Sequence, residues 1–183
     1  MGLRNRSFYH DYNIFFITTT CYRWLHLISI GDNFQIVQSS LKFCCHKLEA
    51  SVLAYVIMPN HLHMILHFTK GKNRIDFMRD FKKFTSVQIR KEVERINPAL
   101  LKEITYPKGK QKFKIWQDRF DELYLESQDL LEDKLEYIHL NPLQEHWSLV
   151  ELPEDYKYSS AKFYHTGEND IKLPLTHYLD VLE

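Results

Sequence analysis

Residues 55–66 read YVIMPNHLHMIL. An apolar run stops at Met58-Pro59-Asn60, and a second run opens with His61 and His63. β-Branched, aromatic and other apolar residues make SVLAYVIM (51–58) and HLHMILHF (61–68) two strands, with Pro59-Asn60 as the tight turn of a hairpin-like connection. Side chains alternate across a strand, so His61 and His63 share one face. Their Cβ atoms then lie ~6.5–7 Å apart, a span that two imidazoles can close around one cation. Leu62, Met64 and Leu66 point the other way and can fill a core. His67 shares the histidine face but lies ~13 Å beyond His63, too far for the same ion. An H-x-H pair also fits two polar histidines on a wet strand face, so a further ligand and a reactive group must be sought elsewhere.

Working outward, NIFFITTTCYRWLHLI (13–28) is β-branched and aromatic and reads as a strand or long hairpin arm. Gly31-Asp32-Asn33 breaks it, with Asp32 or Asn33 available to cap the helix FQIVQSSLKFCCHKLEA (34–50). KGKN (70–73) is a loop, and residues 74–96 form a long helix. Residues 97–112 read as an irregular basic connection, and FKIWQDRFDELYL (113–125) mixes strand and turn signals. SQDLLEDKLEYIHL (127–140) is a helix capped by Ser127 and ended or kinked by Pro142. The chain reads as a single domain over 1–183, with a Tyr-rich C-terminal tail from about 152. The element order implies an α+β sandwich, an antiparallel sheet with helices on one face.

A chain of 183 residues that is 44% hydrophobic can bury a real core. No apolar run approaches the ~20 residues of a membrane span. MGLRNRSFYHDYN lacks the apolar centre of a signal peptide, and Arg6 breaks the myristoylation pattern. Three cysteines without a CxxC imply a reducing, cytoplasmic setting with neither a disulfide framework nor a thiolate zinc site. Net charge is zero but unevenly spread. Residues 70–95 carry nine Lys/Arg against four Asp/Glu, and residues 121–155 carry eleven Asp/Glu and one Lys. Within the basic segment Arg79, Lys82, Lys83, Ser86 and Arg90 follow helical spacing and form one polar stripe. It is a candidate DNA-phosphate contact or a solvated helix face. Lys108, Lys110, Lys112 and Lys114 could extend it.

No CxxC or HExxH completes a zinc site, so two imidazoles with an oxygen ligand and open positions would suit a divalent ion such as Mg²⁺ or Mn²⁺ engaging phosphate. Tyr137 and Asn141 stand i, i+4 on one helix face. Asn141 can offer an amide oxygen to a metal. Tyr137 could then aim its phenolic oxygen at whatever the metal binds. There are eleven tyrosines, and Tyr124, Tyr156 and Tyr158 are rival nucleophiles. His139 faces elsewhere and reads as a packing or surface residue.

The stretch YVIMPNHLHMIL, followed in order by FKKFTS, IWQDRF and YIHLNP, resembles the REP-associated tyrosine transposases of the HUH superfamily of single-strand transposases and nickases. The resemblance covers roughly residues 8–165. It implies a ferredoxin-like α+β fold, metal ligands at His61, His63 and Asn141, and a nucleophile at Tyr137. It further implies attack on single-stranded or hairpin DNA to leave a 5′-phosphotyrosine and a free 3′-OH. It admits a homodimer with shared active sites as well as a monomer. A metal phosphodiesterase using water and a non-catalytic nucleic-acid-binding module of the same fold are the competing readings. Two stretches depart from the family: LQEHWSLV follows Asn-Pro where relatives have an Arg-Ala-Gly-like run, and YKYSS replaces a Pro-Trp-Ser-Ser-like motif. Both leave the chemistry intact and bear on DNA-site recognition.

Overall fold

Four strands form one antiparallel sheet in the order β2-β3-β1-β4. They are β1 (Ile14–Thr20), β2 (Ala50–Ile57), β3 (His61–Phe68) and β4 (Asp121–Tyr124). This computed structural model describes residues 13–69, 73–106, 112–169 and 173–182. Residues 1–12, the 70–72 part of the expected loop, and Lys108 and Lys110 lie outside the described residues. The opening stretch folds as a hairpin: Ile57 stands opposite Leu62, and Met58 N donates to His61 O at 2.8 Å.

The layer expected on the sheet consists of α1 (Asn33–Leu48) and α2 (Asn73–Ile96). Their apolar stripes, Val37, Leu41 and Cys44 on α1 and Phe77, Phe81, Ile89 and Val93 on α2, pack on Ile17, Leu62, Met64, Leu66 and Phe68. The α1 N-terminus is not capped by its own side chain. Instead Glu92 Oε1 of α2 accepts from Asp32 N at 2.9 Å, and Arg95 holds that carboxylate in place. Gly31 beside it has φ +51°, and a Cβ there would collide with Glu92 Oε1.

The opposite face carries a further helix, α3 (Gln128–Leu140). Leu131 and Ile138 of α3 pack on Ile14, Leu53, Ala54, Val56, Met58 and Ile65. Both faces need cover because β2 is apolar on both sides. A bulge between Val52 and Ala54 shifts its alternation, so Val52, Tyr55 and Ile57 meet one layer while Leu53, Ala54 and Val56 meet the other.

Two segments differ from the sequence reading. The 13–28 strand stops at Thr20. Cys21 N and Tyr22 N donate to Asn60 O and Ile115 O, and then Arg23 (φ 55°) and Trp24 (φ 59°) turn the chain away in a 3₁₀ turn, Tyr22–Trp24. The tail after 152 is an edge cover rather than an appendage. Tyr158 O and Tyr55 O exchange bonds between the tail and β2, from Ile57 N and Ser160 N, and Thr176 N donates to Val52 O. It includes the short helices α4 (Ala161–Thr166) and α5 (Leu179–Leu182). All three cysteines are free and buried, which pushes the Cys44 and Cys45 thiols up to about 11 and about 12 and leaves them inert. Among the described residues no helix is long and apolar enough to cross a membrane.

Candidate active site

His61 and His63 lie on the face of the sheet that α3 covers, with ring centroids 4.8 Å apart. Each is only 6% exposed. Phe16, two residues before Thr18 on the neighbouring strand, stacks on the His63 ring at 5.4 Å. Desolvation dominates both imidazoles. It lowers His61 to about 4, with His146 adding repulsion against an opposing contribution from Asn141, and it lowers His63 to about 3, with His61 and Lys134 adding repulsion. Both rings are therefore neutral near pH 7, the state that can donate a lone pair to a metal.

Their orientation is set by residues that the sequence reading assigned no chemical role. Asn60 Nδ2 donates to Trp24 O at 3.0 Å, which leaves Asn60 Oδ1 to accept from His61 Nδ1 at 2.7 Å. That network assigns the His61 proton to Nδ1 and the lone pair to Nε2. Thr18, directly opposite His63 in the β1–β3 register, meets His63 Nδ1 at 2.7 Å, which leaves His63 Nε2 pointing toward α3.

The helix α3 brings the other partners. Ser127 caps it, accepting from Leu130 N at 3.2 Å. Tyr137 Oη lies 3.5 Å from His63 Nε2 and its ring is 41% exposed. The helix ends at Leu140, and Asn141 starts the 3₁₀ turn Asn141–Leu143 that Pro142 enforces. Asn141 is 2% exposed, and its Oδ1 accepts no well-formed hydrogen bond. It is the neighbour that most favours a protonated His61, as an acceptor oxygen facing the ring would. With the His61 proton on Nδ1, its Nε2 lone pair and the Asn141 carbonyl oxygen cannot hydrogen-bond to each other. Lys134, one turn before Tyr137, holds its amine 5.7 Å from the Tyr137 ring centre and 5.6 Å from that of Phe16.

A resident divalent cation fits this set. The donors are two neutral imidazole nitrogens and one buried, unpartnered carbonyl oxygen. Among the described residues no group of three or more His, Cys, Asp or Glu forms an alternative metal set.

Other expected residues lie apart from this cluster. Arg79, Lys82, Lys83 and Arg90 are on α2, which packs on the opposite face of the sheet. Arg79 pairs with Asp76 and Asp80, and Arg90 with Glu94 while lying over Phe113. Lys82 donates to Gln117 O and Arg119 O at 2.6 and 3.1 Å, so its amine is used within the fold. Lys83 is exposed, and its side chain has no ion pair or hydrogen bond among the described residues. Of the rival tyrosines, Tyr156 is buried and donates to Ile57 O, Tyr158 stacks on Phe34 on the far face, and Tyr124 packs on Phe15. His139 packs as expected, hydrogen-bonded to Ser160 Oγ at 2.9 Å.

Comparison with known proteins gives a family and a fold. A Haemophilus influenzae protein described as a REP-associated tyrosine transposase is 28% identical over 138 residues, covering 72% of this chain and 70% of its own. The solved structure of a REP-associated tyrosine transposase bound to a REP hairpin superposes with a TM-score of 0.59 at 20% identity, covering 86% of this chain and 82% of that one, and so shares the fold. The family model "Transposase IS200 like" matches residues 8–141, a span that contains both histidines, Tyr137 and Asn141, and the chain belongs to that transposase family.

Proposed function

We propose that the chain is a metal-dependent DNA nicking-and-joining enzyme that works through a 5′-phosphotyrosine on Tyr137. One observation carries the reading: Tyr137 Oη and the unpartnered Asn141 Oδ1 both converge on the buried imidazole pair. His61 Nε2, His63 Nε2 and Asn141 Oδ1 would hold Mg²⁺ or Mn²⁺, which when bound polarises a non-bridging phosphate oxygen.

The chain's own residues do the rest. Tyr137 Oη attacks the phosphorus and gives up its proton to solvent. The P–O3′ bond breaks, and the departing strand takes a proton to become a free 3′-OH. One phosphoester replaces another, so rejoining by that 3′-OH needs no nucleotide cofactor. Lys134 holds its positive charge 5.7 Å from the Tyr137 ring centre, where it would favour the charge that builds up during displacement. Asn60 and Thr18 hold the imidazoles so that neither must reorient during the reaction. The partial exposure of Tyr137 leaves it accessible to a strand whose phosphates are not shielded in a duplex. The structurally similar transposase is bound to a REP hairpin, which supports hairpin DNA as the substrate.

The test is incubation with end-labelled hairpin and single-stranded DNA in Mn²⁺, followed by denaturing electrophoresis. A covalent protein–DNA adduct is expected, its peptide containing Tyr137. Tyr137→Phe keeps the ring and should retain DNA binding while losing the adduct. A free nick without adduct would mean that water attacks, and binding without cleavage would mean a non-catalytic module. An adduct on Tyr124, Tyr156 or Tyr158 would overturn the assignment.

A further inference from the structure

We infer that Trp24 is a platform on which one nucleobase of single-stranded DNA stacks, beside the phosphate engaged at His61. This rests on the DNA-processing reading above and adds a second contact to it.

Three observations converge. Trp24 is 60% exposed and belongs to neither hydrophobic cluster. Trp116 is buried and donates Nε1–H to Thr85 Oγ1, and Trp147, 5.9 Å from His61 between ring centres, is partly buried against the cluster under α3, which leaves Trp24 as the most exposed of the three indoles. Trp24 is also held in a costly backbone. Arg23 and Trp24 are consecutive non-glycine residues at φ 55° and 59°, a conformation that persists only where its surroundings enforce it and that gathers at functional sites. The enforcement comes from the site itself. Asn60 donates to Trp24 O with one end of its amide and orients His61 with the other. One side chain therefore holds both the metal-side imidazole and the backbone of Trp24, whose indole ring centre lies 6.3 Å from that of His61.

The occupant follows from the neighbourhood. A flat, neutral, exposed aromatic face next to a phosphate site suits the base attached to that phosphate's own strand. Such stacking tolerates any base, so it would add affinity and placement rather than sequence choice.

The test uses full-length protein in the Tyr137→Phe background with Mn²⁺, so that no turnover occurs. The probes are fluorescently labelled oligothymidylate and an equally long abasic deoxyribose-phosphate chain, with affinity read by anisotropy. Trp24→Ala should weaken oligothymidylate binding about 5- to 150-fold, the range for one stacked base, and leave abasic binding within about twofold. Trp24→Phe should restore most of the loss. If Trp24→Ala does not fold, Trp24→Leu replaces it, being apolar without an aromatic face. Equal losses on both probes, no loss on either, or a parent protein indifferent to bases would each overturn the platform. Adduct formation is read separately on protein with Tyr137 intact. A missing adduct with base-dependent binding refutes only the catalytic reading, and an adduct with base-independent binding refutes only the platform.

Discussion

Asn141 is buried with an unpartnered carbonyl oxygen, and this makes the effect of Asn141→Leu opposite in sign to that of an ordinary buried asparagine. A polar group desolvated without a partner costs roughly 1–3 kcal/mol of folding stability. Leucine keeps the branched skeleton of the amide with bulkier methyl groups, so the replacement should open no cavity. If the oxygen is kept for a cation, the variant in metal-free buffer should be more stable than the parent by roughly 1–3 kcal/mol. For a chain of this length that is a rise in Tm of roughly 2–12 °C, at about 2–4 °C per kcal/mol. Adding Mn²⁺ should then invert the order. The parent gains about 2.7 kcal/mol once the free ion reaches a hundred times its Kd, and the variant, lacking the oxygen ligand, gains little.

Calorimetric melting of both proteins in EDTA and across a Mn²⁺ series measures each quantity. A variant that melts below the parent in EDTA would show that the amide is already satisfied in the fold. Equal Mn²⁺ stabilisation of the two proteins would place the ion elsewhere. Either result refutes the reasoning, and the first would also remove the observation on which the proposed site rests.

Two further outcomes follow from the α2 side of the molecule. Lys82→Ala, which strips the amine from Gln117 O and Arg119 O, should lower stability with little change in the salt dependence of DNA binding. Lys83→Ala should leave stability unchanged and reduce the slope of log affinity against log salt by ~0.7 if it meets a single strand, and an unchanged slope would assign it to solvent. Glu92 is held at about 2 by Arg95 first and the Asp32 N–H second, below its ordinary 4.5. A depressed carboxylate contributes stability that is full above pH 4.5 and is lost as pH falls toward 2. Glu92→Gln should therefore melt lower at pH 7 and show a flatter stability profile between pH 4.5 and 2 in urea titrations, and parallel profiles for the two proteins would refute the role.

Strand parity alone puts His61 and His63 on one face, and helical i, i+4 spacing alone puts Tyr137 and Asn141 on one face. Those two local rules gave two pairs, because each needs only the chain's own repeat, and the resemblance to the transposase family joined the pairs into one expected site. The residues that orient them needed the register between strands. Thr18 matters because it stands opposite His63, and Asn60 because a turn amide reaches both His61 and Trp24. The strand predicted over 13–28 overran because β-propensity carries no information about the left-handed backbone at Arg23 and Trp24. The second layer, α3, was legible in principle. SVLAYVIM is apolar on both sides, and a strand without a polar face needs cover on both. The carbonyl contacts of Lys82 were not legible, since Gln117 and Arg119 lie more than thirty residues away, whereas the pairs of Arg79 with Asp76 and of Arg90 with Glu94 follow helical spacing.

The charge asymmetry acquires a different meaning once the layers are placed. Residues 121–155 carry eleven carboxylates and one lysine, and α3, the helix that presents Tyr137, lies within them. A phosphodiester approaching such a helix is repelled unless positive charge sits on its path. The one lysine is Lys134, and it is the residue whose amine lies over the Tyr137 and Phe16 rings and close enough to His63 to disfavour its protonation. The acidic surround then works with the site, since repulsion elsewhere on α3 disfavours phosphate binding anywhere but beside the one cation. The basic stripe of α2, on the far face and largely neutralised by its own carboxylates, cannot supply that local field, because exposed charges are screened within about 8–10 Å at moderate salt. In the proposed reaction the side-chain cation nearest Tyr137, acting beside the bound ion, is therefore the one lysine of the acidic segment and not the basic stripe of α2.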